Sequence, residues 1–183
     1  MALTYSKMLE LNSKMPQFNL LNSANNKFFN SNLLSSKKTK LLMVICNHCP
    51  YVIHYHDIIT KISQNYLNKI EIIAISSNDV KNYPQDSVQE MAKLSKKLNW
   101  NFPYLYDEDQ QLAKKLQAQC TPEFYLFNNN NLLIYRGRMD ETNPGSNKDP
   151  SGKDLINAID CYLSNSSIVG NQLPSMGCSI KWL

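Results

Sequence analysis

The residues best able to do chemistry lie in one stretch, MVICNHCPYVIHYHD, from Met43 to Asp57. Cys46 and Cys49 are separated by two residues, and all three histidines of the chain, His48, His54 and His56, lie between or just behind them. Two chemistries use such a set. A thiol pair at this spacing can close a disulfide, so a mixed disulfide with a substrate can be resolved from within. Two cysteines and two histidines can also surround a tetrahedral metal ion. His54 and His56 are two apart on a predicted helix, so their side chains diverge by roughly 200°, and only one can share a face with Cys49. This favours redox chemistry and no bound metal.

The elements that must hold the pair can be read outward from it. Lys40–Cys46 is a continuous apolar run of strand length, suited to burial on both faces. Tyr51 to Leu67 carries apolar residues at helical spacing, and Ile70 to Ile75 is a second buried strand. Together they predict a strand, helix and parallel strand unit. Cys46 then ends a central strand and Cys49 enters the first helical turn, where unpaired amides and the helix dipole favour a thiolate. Pro50 suits that turn because its missing amide hydrogen would be unbonded there anyway. His48, between the cysteines, adds positive charge that favours the reduced form.

Further along, Ser87 is a predicted cap for a helix to about Leu98, and residues 103–106 form a short strand. Asp107 to Gln117 reads as a helix with acidic residues in its first turn. Glu123 to Phe127 and Leu132 to Arg138 form a hairpin around four asparagines, and Lys153 to Leu163 is a last helix. Residues 1–14 read as aperiodic, Met15 to Leu20 as a short strand, and 165–183 as a tail. Asp140, Glu141 and Asp149 read as turn and surface residues, and Cys161 as core. The expected fold class is α/β, a central mixed sheet flanked by helices, in one domain over residues 1–183.

The chain of 183 residues carries 19 basic and 15 acidic side chains, with lysines scattered and no basic run interleaved with aromatics, so a nucleic-acid partner is not expected. No segment reads as a signal peptide or membrane span, so the expected location is cytoplasmic, without a membrane partner. Five cysteines in a reducing compartment do not make a structural disulfide framework.

Four quoted stretches, CNHCPYV, QCTPEFYLF, YRGRMDET and MGCSIKW, resemble the thioredoxin-like superfamily, in particular its bacterial thioredoxin-family or AhpC/TSA-like redoxin branch. Some members of that branch are called thiol-disulfide isomerases. MPQFNL also resembles the strand that opens peroxiredoxin-type domains, which implies a peroxiredoxin-type N-terminal extension. The resemblance spans about Met15 to Leu183 and implies a thiol-disulfide oxidoreductase with no cofactor beyond a Cys46–Cys49 disulfide. It assigns Cys46 as the attacking thiol, Cys49 as the resolving thiol, and Thr121 with a cis Pro122 as the substrate-guiding segment. Protein or small-molecule disulfides and thiols would be the partners, with an unspecified electron donor. Cys120, two residues before Pro122, is either an auxiliary thiol or a buried neighbour. Cys178 is either a partner for Cys120 or an inert thiol. A peroxidase using Cys49 is the second reading; there the place of the peroxiredoxin threonine is held by Cys46, and Arg136 or Arg138 could supply a guanidinium. A metal-binding protein on the same fold is the third.

Overall fold

The computed structural model describes residues 3–168 and 170–183; Met1, Ala2 and Val169, which the expected domain span includes, lie outside the described residues. Two sheets organise the chain. The larger has seven strands in the order β3-β2-β6-β5-β4-β8-β9: β2 (Asn19–Asn22), β3 (Lys27–Asn30), β4 (Thr39–Val44), β5 (Ile70–Ser76), β6 (Tyr104–Tyr106), β8 (Glu123–Phe127) and β9 (Leu133–Gly137). The smaller is antiparallel, in the order β1-β10-β7, from β1 (Leu3–Tyr5), β10 (Met176–Ser179) and β7 (Cys120–Thr121).

The apolar run before the cysteines becomes β4, which lies parallel to β5 and antiparallel to β8. Every residue of β4 is buried, as its composition requires. Leu41, Met43 and Ile45 point into one core with Val52, Ile59, Leu155 and Ile159, while Leu42 and Val44 point into the other with Leu112, Leu116 and Phe127. Burying one such side chain contributes about 1.5–3 kcal/mol, and β4 does so on both faces. The strand therefore holds the backbone leading to Cys46 in place. Lys40 is also buried here; its ammonium donates to the Asn129 carbonyl at 3.4 Å.

The expected helix from Tyr51 to Leu67 is two helices, α1 (Pro50–His54) and α2 (His56–Tyr66). The break falls at Tyr55, with φ −101° and ψ 5°. Its hydroxyl donates to Asp140 Oδ1 at 2.9 Å and to the Thr142 carbonyl at 2.7 Å. This tertiary anchor outweighs the local periodicity. After β5, α3 (Val88–Lys97) follows Ser87, whose side chain makes no capping bond. The next helix, α4, is only Gln111–Lys115, with no acidic residue in its first turn. Asp107 lies before it and receives the Leu112 and Ala113 amides at 3.1 and 2.9 Å, so the acidic contribution is a cap by side-chain hydrogen bonds. The asparagine run closes the β8–β9 hairpin: Asn128 Oδ1 accepts from the amides of Asn130 and Leu132, and Asn131 takes a positive φ of 60°.

Three further expectations are corrected. Residues 15–18 are not strand, and the strand begins at Asn19. Part of the segment read as aperiodic forms β1, and part of the tail forms β10, because each supplies the other's edge hydrogen bonds. Cys161, in α5 (Lys153–Leu163), is partly exposed and not core. Among the described residues no helix is long and apolar enough to cross a membrane.

Candidate active site

β4 ends at Val44, and the Ile45 amide still donates to the Ile75 carbonyl at 2.9 Å, so Cys46 is delivered one residue beyond the parallel ladder. Cys49 occupies the N-cap of α1, with Pro50 at the first helical position, and its carbonyl receives the amides of Val52 and Ile53. The two sulfurs hydrogen-bond each other as thiols or thiolate and are not at disulfide distance. Across from them the Thr121–Pro122 peptide bond is cis. Thr121 holds both cysteines: its Oγ1 is 3.5 Å from Cys46 Sγ, and its carbonyl accepts from Cys49 Sγ at 3.2 Å. Cys46, Cys49, Thr121 and Pro122 thus converge.

The charge in this pair falls on the helix-start cysteine and not on the thiol that the resemblance assigns as attacking. Within the pair the thiolate preference falls on Cys49, pulled down to about 5 chiefly by the hydrogen bond from Cys46, against the opposing effect of burial. Thr121 and Cys178 add further donors. Cys46 is pushed well up by its bond to Cys49, by burial and by the Asp86 carboxylate. The Thr121 carbonyl works against ionisation of Cys49, because a thiol can donate to it and a thiolate cannot; the donors around Cys49 outnumber it. The two sulfurs therefore share one proton as a unit. With α1 only five residues long, hydrogen bonds stabilise this thiolate more than a helix dipole does.

Asp86 is the site residue that sequence reasoning missed. It is fully buried and reaches the cysteine loop from a 3-10 turn at Pro84–Asp86. Its Oδ1 accepts from the Asn47 amide at 2.8 Å and the His48 amide at 3.3 Å; its Oδ2 accepts from Asn78 Nδ2 at 2.8 Å and contacts His48 Nδ1 at 2.7 Å. A carboxylate acceptor fixes the imidazole hydrogen on Nδ1. His48 also stacks on Tyr83, with centroids 5.7 Å apart. The positive charge expected from His48 is thus countered by Asp86, and the net push on Cys46 is toward the thiol. The only sequence signal for Asp86 was a turn-rich loop, SSNDVKNYPQD, with nothing to say which side chain it turns inward.

The other residues separate clearly. Cys120 faces Glu123 Oε1 at 3.5 Å, and burial pushes its thiol far up, beyond easy ionisation. Cys178 stands against Cys49, in register with Thr121. Arg138 pairs with Asp154 at 2.7 Å, and Arg136 donates to the Leu9 carbonyl at 2.7 Å. His54 meets Thr142 Oγ1 at 2.8 Å, and His56 packs edge-on against Trp100, so these two histidines do not converge on the thiols. Cys46, His48 and Asp86 do place ligand-type atoms within 4.8 Å of one another. Asp86's oxygens already receive four hydrogen-bond donors, which leaves this trio better built for orientation than for holding a metal.

Asp140, expected at the surface, is buried. Burial alone would raise its carboxyl, but hydrogen bonds from Thr142, Gly152 and Ser151 hold it well below the usual range. It pins the 140–152 loop to Tyr55. A cleft of about 120 Å³ opens beside Pro122, lined among others by Tyr5, Tyr55, Phe124, Asp140 and Met176, and it does not reach either cysteine.

Comparison with known proteins bears on the fold and the family. The chain is similar over its whole length to an uncharacterised conserved protein from Geobacillus kaustophilus, at 36% identity and TM-score 0.97, covering 97% of that chain. It is also similar to a hypothetical protein from Sinorhizobium meliloti 1021, at 31% identity and TM-score 0.95, covering 98% of each chain. A secreted Mycobacterium tuberculosis disulfide oxidoreductase homologous to E. coli DsbE shares the thioredoxin-like fold at 16% identity and TM-score 0.61, over 79% of this chain and 96% of that one. No curated protein matches. The Redoxin family matches residues 10–155, and the chain belongs to the redoxin family.

Proposed function

We propose that the protein is a thiol-disulfide oxidoreductase that cycles a Cys46–Cys49 dithiol and disulfide. The observation that carries this reading is the contact of the two sulfurs with each other and with Thr121, beside a cis proline. Cys46 as thiolate attacks one sulfur of a protein or small-molecule disulfide, forms a mixed disulfide and expels the other sulfur as a thiolate. While Cys46 carries the charge, the shared proton sits on Cys49 and is received by the Thr121 carbonyl. Cys49 then gives that proton to the first expelled thiolate and attacks Cys46 Sγ, closing the internal disulfide and releasing the second substrate thiolate. Asp86 and Asn47 position the loop: Asn47 Oδ1 accepts from the buried Tyr104 hydroxyl at 3.1 Å, and its Nδ2 donates to the Gln85 carbonyl.

A thiol peroxidase using Cys49 is the second reading, favoured by the thiolate preference at that residue. Against it, both arginines are engaged elsewhere. The deciding experiment is a titration of the protein in glutathione buffers, followed by alkylation and mass mapping. A reversible two-electron transition that closes a Cys46–Cys49 disulfide is expected. A lone sulfenic acid on Cys49 formed by peroxide, with no dithiol transition, would replace this function with the peroxidase.

A further inference from the structure

Cys178 is the thiol whose place the proposed cycle does not use. It lies in β10, opposite Thr121 in the antiparallel ladder with β7, and next to Leu3 of β1 on its other side. Its side chain and its backbone both hydrogen-bond Cys49. Gly177 makes this approach possible: a Cβ there would lie 2.0 Å from the Thr121 carbonyl oxygen, so β10 can reach β7 this closely only without a side chain at that position. Thr121 then contacts Cys46 and Cys49 and has Cys178 as its ladder partner, and Cys49 contacts both of the other thiols.

We propose that Cys178 is a third redox thiol, which takes over the disulfide from Cys46. The step rests on the Cys46–Cys49 couple proposed above. In it, the Cys178 thiolate attacks Cys49 Sγ of the Cys46–Cys49 disulfide; the Cys49–Cys178 bond forms, the Cys46–Cys49 bond breaks, and Cys46 leaves as a thiolate. Two sulfurs remain oxidised before and after, so no outside oxidant or reductant enters. The proton leaving Cys178 is taken up by the Cys46 thiolate.

The environment favours this order. In the reduced protein, burial and the contact with Cys49 hold Cys178 up at about 12, so it serves Cys49 as a hydrogen-bond donor. Once Cys49 is in a disulfide, its thiolate no longer raises Cys178, while the Lys181 charge still lowers it. Oxidation of the first pair thereby moves the third thiol toward ionisation, with burial still opposing it. The exchange returns Cys46 to the thiol form for a new substrate and moves the disulfide onto the smaller sheet.

The test oxidises the full-length protein and its Cys46→Ser and Cys178→Ser variants in glutathione buffers, then alkylates them and maps cross-linked peptides by mass spectrometry. Wild type should give both Cys46–Cys49 and Cys49–Cys178 links, with part of Cys46 open to alkylation. Cys178→Ser should lose the second link, and with it all alkylation of Cys46 under the same conditions. Cys46→Ser should give the Cys49–Cys178 link alone; Cys46→Ala serves in its place if the serine variant does not fold. A Cys46–Cys49 link in wild type, with no Cys49–Cys178 link in wild type or in either Cys46 variant, overturns the relay and leaves the dithiol couple standing. Absence of the Cys46–Cys49 link from wild type instead overturns the couple, and the relay with it.

Discussion

Two buried carboxylates, Asp86 and Glu123, flank the thiols, and they are solvated differently. Asp86 receives three N–H donors from Asn47, His48 and Asn78, besides the His48 ring contact at 2.7 Å. Glu123 receives the Gln119 amide at 3.3 Å, the Cys120 amide, the Cys120 thiol at 3.5 Å and the Tyr125 hydroxyl. Burial dominates at Glu123 and raises it to about 7. The lesson is that one buried acid acts through its charge on a neighbouring thiol, as Asp86 does on Cys46, whereas at Glu123 burial outweighs the donors and moves the acid toward neutrality. The same contrast separates the cysteines: Cys49 sits among donors, and Cys120 sits against an acid.

The strongest way to break this contrast is to remove the thiols. Cys49→Ser should abolish the reversible dithiol transition in a glutathione titration, and Cys46→Ser should leave only the Cys49–Cys178 one; a transition that survives Cys49→Ser would refute the proposed couple. Asp86→Asn should shift the shared negative charge toward Cys46. For one pKa unit, the ratio of Cys46 to Cys49 alkylation at pH 7 rises roughly tenfold. An unchanged ratio would show that Asp86 acts by geometry alone.

Glu123 makes a prediction with a definite sign. Its folded pKa lies above the ordinary 4.5, so between about 4.5 and about 7 the folded protein binds more protons than the unfolded chain. Its stabilising contribution is full below that window and is lost as pH rises through it. Glu123→Gln should flatten the dependence, a difference on the order of 1–3 kcal/mol across the window, measured by urea unfolding at several pH values. A variant that keeps the wild-type slope would place the titration elsewhere. The smallest effect is expected at Cys120→Ala: a stability cost of about 1 kcal/mol from the buried cavity, with disulfide exchange within about twofold of wild type. A large loss of exchange there would return Cys120 to the active thiols.

Much of the scaffold was legible because local pattern and tertiary environment agree. The run Leu41–Cys46 through β4 is apolar without interruption, and only a strand covered on both faces can bury it. The break at Tyr55 was not legible, since its cause is a carboxylate 85 residues away. β1 and β10 were hidden for a related reason: each is short, and neither has periodicity enough to be a strand without the other.

The candidate site divides in the same way. By itself the sequence determined the thiol pair, its delivery at the end of a buried strand and the proline at the helix start, because spacing and hydrophobic pattern are local properties. Only the tertiary structure decided that Asp86 faces Cys46 and that Gly177 lets Cys178 reach Cys49. Charge and proton sharing depend on distances across chain separations of tens of residues or more, and such distances exist only once the strands are paired.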